Sequence, residues 1–283
     1  MAVETPTIAP ATMVGAVELT VGDLERSLGY YRTAIGLDVL VRDDGRASLG
    51  VGSTELLRLV ELPGAKPAPS HTGLFHFALL VPDRASLGRW LSHAVEHRVA
   101  LTGASDHVVS EALYLRDPDY HGIEIYADRP RETWEGRVAS TMTTIPLDLD
   151  DLVAAADGPF DGLPDGTIMG HVHLQVASVR DTVVFYRDVL GLSVTAQLGE
   201  QAVFLSAGGY HHHVGANTWN SARASPPPPG SAALRHATIV LPDAAERDRI
   251  AAWVADAGQE PQARDDGVLV RDPAQNALLL SAR

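Results

Sequence analysis

This 283-residue sequence predicts an α+β fold built from four βαβββ units, and two pairs of internal repeats carry the prediction. The stronger pair is VGAVELTVGDLERSLGYYRTAIGLDVL (14–40) and MGHVHLQVASVRDTVVFYRDVLGLSVT (169–195). Each has an alternating apolar segment, a short turn containing Asp or Ser, a helical stretch and the ending YRxxxGL. The weaker pair is GLFHFALLVPDRASLGRWLSHAVEHRV (73–99) and ALRHATIVLPDAAERDRIAAWVADAGQ (233–259), which share an apolar strand, the turn LVPD or VLPD and an amphipathic helix. Both of these continue into strands around an Asp-Pro turn, ALYLRDPDYHGIEIYAD (112–128) and GVLVRDPAQNALLLSAR (267–283).

Taken in order, each unit opens on a strand, because its apolar residues alternate. A helix follows, because the spacing changes to i, i+3, i+4, as at Leu24, Leu28, Tyr31 and Ile35. Gly36 and Gly191 stand where that helix must stop, as C-caps. Three further strands complete each unit, giving 14–64, 72–128, 169–219 and 232–283. The first two units form one half (1–130) and the last two the other (168–283), with a polar linker containing Pro and Gly at 131–167. The stretch SARASPPPPGS (221–231) breaks the chain between the third and fourth units, since it suits neither a strand nor a helix interior.

Composition narrows the function. Hydrophobic residues make up 45% and charged residues 20%, as in an ordinary globular chain. No apolar run is long enough to span a membrane, and the N-terminus has no basic segment followed by an apolar core, so neither a membrane protein nor a secreted one is expected. A net charge of −14 argues against nucleic acid, whose backbone needs a basic footprint. The expectation is a cytoplasmic, acidic protein. With no cysteine, any metal must be held by His, Asp or Glu, and twelve histidines are present to do it.

Four βαβββ units with YRxxxGL after the helix resemble the vicinal oxygen chelate superfamily, the glyoxalase/bleomycin-resistance/dioxygenase type. The stretch DHVVSEALYLRDPDYHGIEIYADRPRETW (106–134) is similar to its catechol-2,3-dioxygenase-like, extradiol ring-cleaving members. The resemblance implies units paired into curled sheets around a central metal, with ligands on the first and fourth strands. The first-strand position holds Ala16, His76, His171 and His236 in turn. The fourth-strand position holds Arg58, Glu124, the HHH triplet at 211–213 and Leu279. Only units two and three together supply two histidines and a carboxylate: His76, Glu124 and His171. That facial triad suits Fe(II), with Mn(II), Zn or Ni as alternatives. A lone histidine on an apolar strand is more often structural, and His173 shares the strand face of His171, but the repeat register favours His171. His236, without partners in its unit, reads as structural.

The resemblance also implies roles around the metal. A catechol must shed protons as it binds, which calls for a histidine near neutrality. The matching residue is His213; strand alternation puts His211 beside it and His212 on the opposite face. Tyr114 matches a tyrosine that hydrogen-bonds the substrate oxygen, and His107 a histidine on the oxygen-binding side, with Asp106 placed to fix its tautomer. His93, His97 and His121 are expected to be exposed. The expected partners are a small aromatic diol and O2, and a homo-oligomer is common among such relatives. Two competing readings are a glyoxalase-type isomerase or lyase, with His213 as a fourth ligand to Zn or Ni, and a metal-free small-molecule-binding relative.

Overall fold

The structure, a computed structural model, describes residues 7–283. Unit one comprises β1 (Met13–Val21), α1 (Leu24–Tyr30), β2 (Asp38–Asp43), β3 (Arg46–Val51) and β4 (Thr54–Glu61), followed by the short β5 (Lys66–Pro67). Unit two comprises β6 (Gly73–Leu80), α2 (Arg84–Glu96), β7 (Leu101–Asp106), β8 (Ser110–Arg116) and β9 (Gly122–Asp128). The stretch between the halves, expected as a linker, carries two short helices, α3 (Val138–Thr141) and α4 (Leu149–Ala154). Unit three has β10 (Ile168–Gln175), α5 (Val179–Val183), β11 (Ser193–Leu198), β12 (Ala202–Ser206) and β13 (Val214–Asn217). After β14 (Ser231–Ala232), unit four has β15 (Leu234–Leu241), α6 (Ala244–Asp256), β16 (Gln262–Arg264), β17 (Gly267–Arg271) and β18 (Ala277–Ala282).

The repeat is visible in the helix caps. Asp23, Asp83, Ser178 and Asp243 each accept a hydrogen bond from the backbone N–H three residues on, which satisfies one of the helix's orphan donors. The predicted apolar stripe of Leu24, Leu28, Tyr31 and Ile35 is buried. However, the helix widens into a π-turn at Tyr31–Ile35, and α5 does the same at Val184–Val189, which a 3.6-residue period does not foresee. Gly36 and Gly191 end these helices with φ of 88° and 83°, left-handed values that glycine adopts without strain.

The strands form two eight-stranded sheets with the same internal plan. One runs β16-β17-β18-β15-β1-β4-β3-β2 and joins units four and one. The other runs β11-β12-β13-β10-β6-β9-β8-β7 and joins units three and two. Each sheet therefore has an antiparallel seam, β1 on β15 or β6 on β10, where one half of the chain meets the other. One hydrophobic core, including Tyr31, Phe77, Trp90 and Tyr186, runs through residues of both sheets.

Two matching hydrogen bonds tie the sheets together, and they account for the YR and Asp-Pro motifs. Tyr31, from unit one, donates to Asp117 of unit two at 2.9 Å, and Tyr186, from unit three, donates to Asp272 of unit four at 3.3 Å. Asp117 also accepts from the N–H of His121, as Asp272 does from that of Asn276. His121 is therefore buried, not exposed as the sequence reading expects, and its Nε2 reaches the Thr20 carbonyl at 2.9 Å. Among the described residues, no helix is long and apolar enough to cross a membrane.

Candidate metal centre and active site

The seam between β6 and β10 positions the site. The register sets His173 opposite His76 and His171 opposite Ala78, while the parallel pairing of β6 with β9 sets Glu124 beside Ala78. Side chains two apart share a face, so His76, Glu124 and His171 converge. His76 Nε2 and His171 Nε2 lie 2.9 and 3.2 Å from Glu124 Oε2 and 3.4 Å from each other. All three residues are buried, at 6%, 3% and 1% exposure.

Their electrostatics suit a cation. Burial favours the neutral carboxyl at Glu124, but the imidazoles of His171 and His76 outweigh it and hold its pKa well below the usual carboxylate range. Burial also pushes His171 down to about 4 against the opposing pull of Glu124. An ionised carboxylate beside a neutral imidazole is the protonation pattern a divalent metal requires, and a buried charge of this kind calls for a compensating cation. The donor set fits the group the sequence reading assigns to it.

The sheet curls around a cavity of about 780 Å³, with lining residues drawn from both edge strands, β7 and β11. His76, Glu124, His107, Tyr114, His173 and His212 all face it. His173 joins the site without joining the donor cluster. It is buried, its Nε2 has no hydrogen-bond partner, and burial holds its pKa well below the ordinary value.

The triplet is placed differently from the sequence expectation. The fourth-strand position of unit three is Gly215, paired with His173, in the register where Arg58 pairs with Glu18. A Cβ at Gly215 would lie 2.8 Å from His173 Nδ1, so the glycine leaves room for that ring. The histidines precede β13 and do not keep strict strand alternation. As a result His212, not His213, lines the cavity, with its ring 4.0 Å from that of His171. His213 lies behind Tyr210, which packs on it at 5.1 Å and bonds Tyr126 at 2.7 Å. His213 Nδ1 accepts from the Ala207 N–H at 3.2 Å.

His211 is fully buried between His212 and Asp128. Its Nε2 is 2.9 Å from Asp128 Oδ1, and its Nδ1 is 2.8 Å from His212 Nδ1. A carboxylate can only accept, so His211 donates through Nε2, and as a neutral imidazole it accepts through Nδ1. His212 then carries its proton on Nδ1, and its Nε2, with no hydrogen-bond partner among the described residues, is left to the cavity. Burial, then the neighbouring imidazoles, keep His212 well below its ordinary pKa and neutral. The sequence reading missed Asp128, although its spacing of four from Glu124 on one strand face was visible.

His107 and Tyr114 form a second pair. The Thr143 carbonyl accepts from His107 Nδ1 at 2.9 Å, which leaves Nε2 to accept from the Tyr114 hydroxyl at 2.7 Å. Burial, then the charge of Glu124, hold the Tyr114 phenol well above its ordinary pKa, so it keeps its proton. Asp106 does not fix this tautomer: its carboxylate accepts from the Val108 N–H and from Arg129 instead.

Comparison with known proteins agrees with this architecture. The family model for the Glyoxalase/Bleomycin resistance protein/Dioxygenase superfamily matches residues 13–125 and 168–278. A catechol-2,3-dioxygenase of Bacillus subtilis (strain 168) is 44% identical over 277 residues, covering 95% of this chain and 96% of that one. Among solved structures, glyoxalase I from Zea mays superposes with a TM-score of 0.61 at 17% identity, covering 96% of this chain and 92% of that one. The cppA protein of Streptococcus pneumoniae TIGR4 superposes with a TM-score of 0.56 at 12% identity, covering 99% of this chain and all of that one. At such identities the two structures speak for the fold alone.

Proposed function

Because the chain belongs to the glyoxalase/bleomycin resistance/dioxygenase superfamily, we propose that it is an extradiol ring-cleaving dioxygenase acting on a catechol-like diol. The observation that carries this reading is the buried set His76, Glu124 and His171, of which His76 and Glu124 line a cavity that also holds His212, His107 and Tyr114. Three protein donors, one of them a carboxylate, leave coordination positions for a bidentate diol and O2, and the resemblance to a catechol-2,3-dioxygenase points the same way. Fe(II), when bound, supplies the charge that acidifies the diol and the electrons that let O2 react, and both oxygen atoms enter the opened ring.

The chain's own residues manage the protons. His212 Nε2, held unprotonated by the Asp128–His211 relay, accepts a proton from a substrate hydroxyl and returns it as the ring opens. Tyr114, oriented by His107, hydrogen-bonds the diol. The isomerase reading needs His213 as a fourth ligand, and His213 lies behind Tyr210. A metal-free binding protein has no use for an ionised carboxylate buried against two imidazoles. The acidic, cysteine-free composition fits a cytoplasmic enzyme.

The test is anaerobic purification, measurement of bound metal, then Fe(II), catechol and O2. Oxygen uptake with a yellow ring-opened product is expected; tight Zn or Ni without oxygen uptake refutes the reading. In parallel, His212→Ala should keep its metal and lose roughly 10²- to 10⁴-fold in kcat, whereas His213→Ala should lose far less. The reverse ranking refutes the assignment of the proton acceptor.

A further inference from the structure

We propose that the cavity takes a catechol bearing an extended, uncharged apolar substituent, and that residues 139–144, between the two halves of the chain, form the wall that selects it. This rests on the ring-cleaving reading above and adds the class of ring to it.

Size is the first argument. A cavity of about 150 Å³ is enough for benzene, and this one is about 780 Å³. A bare diol ring would leave most of it to water. Beyond the donor cluster, the apolar lining includes Phe75, Val109, Ala139, Met142, Leu198 and Trp219. Leu198 and Trp219 are 57% and 48% exposed. Large apolar side chains held open at a cavity rim mark a surface that a ligand covers.

Charge is the second argument. The lining contains one carboxylate, Glu124, and one guanidinium, Arg116. Glu124 belongs to the donor set. Arg116 is engaged by its neighbour Tyr120, donating to the carbonyl at 2.9 Å and stacking on the ring at 4.3 Å. Among the described residues, no lysine and no second arginine lines the cavity to meet a carboxylate on the substrate.

The wall itself crosses between the edges of the curled sheet. α3 packs against β11, and Ile145, just beyond it, bridges to Asp106 at the end of β7. Between these anchors, Ala139, Met142, Thr143 and Thr144 face the cavity, and Met142 packs on the Val109, Trp134 and Val138 cluster. The same segment supplies the Thr143 carbonyl that orients His107.

The experiment compares catechol, protocatechuate, and catechols with a hexyl or phenyl group at ring position 3 or 4. It reads kcat/KM by oxygen uptake with iron-loaded enzyme, and binding by anaerobic calorimetry without turnover. Each buried methylene gains roughly fourfold in affinity. At least one apolar-substituted catechol should therefore exceed catechol by tenfold or more in both measurements, with protocatechuate the poorest. Ala139→Trp, at an exposed position on α3, should lower the ratio of substituted to unsubstituted kcat/KM by about tenfold. Leu198→Asp, on the opposite rim, should lower it as well, so the result does not depend on one variant folding. Equal use of all the rings, or a preference for protocatechuate, overturns the substrate class and leaves the dioxygenase reading standing. An unchanged ratio in folded Ala139→Trp overturns the wall, and an unchanged ratio in Leu198→Asp overturns the apolar rim opposite it. No turnover of any catechol by iron-loaded enzyme refutes the underlying reading instead.

Discussion

The two eight-stranded sheets are built to one plan, and the side chains at one set of facing positions separate their chemistry. Where the sheet of units two and three has His76, Glu124, His171 and His173, the sheet of units four and one has His236, Leu279, Ala16 and Glu18 at matching register positions. Gly215, which clears space in the first sheet, is matched by Arg58 in the second. Arg58 pairs with Glu55 and Asp266, and Glu18 pairs with Arg235, so that face already contains its own cations. His236 remains as a single donor, with Nδ1 3.9 Å from Glu18 and Nε2 unpartnered. The same backbone assembles a donor set only where the facing positions agree. In its twin a guanidinium, a leucine and an alanine stand where the glycine, the carboxylate and one histidine would be needed.

The contrast is sharpest at the carboxylate. Glu124→Ala should abolish metal retention and lower turnover by ~10³-fold or more, since no charge is left to hold the cation; Arg58→Ala should leave metal content unchanged. Metal analysis of the two purified variants checks this, and loss of metal in Arg58→Ala would break the comparison.

A smaller effect separates His213 from Leu56, which stands at the matching place two residues before Arg58. Burial first, then His211, His171 and Arg131, push His213 down to about 4. The folded chain then takes up this proton later than the unfolded chain does. The stability His213 contributes is complete above about pH 6.5 and is lost as pH falls toward 4. His213→Leu should therefore reduce the loss in unfolding free energy between pH 6.5 and 5 by about 1.6 kcal/mol, read by denaturant titration at the two pH values. An unchanged slope would show that other histidines carry the acid sensitivity.

The smallest effect tests what the sheets share. Tyr31→Phe and Tyr186→Phe should each cost about 1 kcal/mol, the net worth of one buried hydrogen bond. Similar losses would mean that the two cross-sheet ties carry equal weight; a large inequality would show that the packing of one sheet on the other depends on one tie more than on its counterpart.

Much of this was legible in the sequence because repeats turn one chain into four comparable ones. The units, the glycine caps and the donors His76, Glu124 and His171 all follow from laying those copies side by side. Rings that pack off the regular pattern were not legible. The triplet precedes its strand, so alternation counted through it put His211 and His213 on the face where His212 stands. The Asp128–His211–His212 relay depends on contacts between residues more than eighty positions apart, which no local period records. The segment 131–167 looked like a linker because its helices are short, and only the packing of α3 on β11 and of α4 on α2 shows their use.

The seam between β6 and β10 has one more consequence. His76 and Glu124 come from the first half of the chain and His171 from the second, while the central pairings of both sheets also cross that division. Were the chain cut between α3 and α4, neither fragment could complete a sheet by itself, and the donor set would exist only after reunion. A bound metal would then act as a reversible rivet, and its uptake would report directly that two separate polypeptides had found one another.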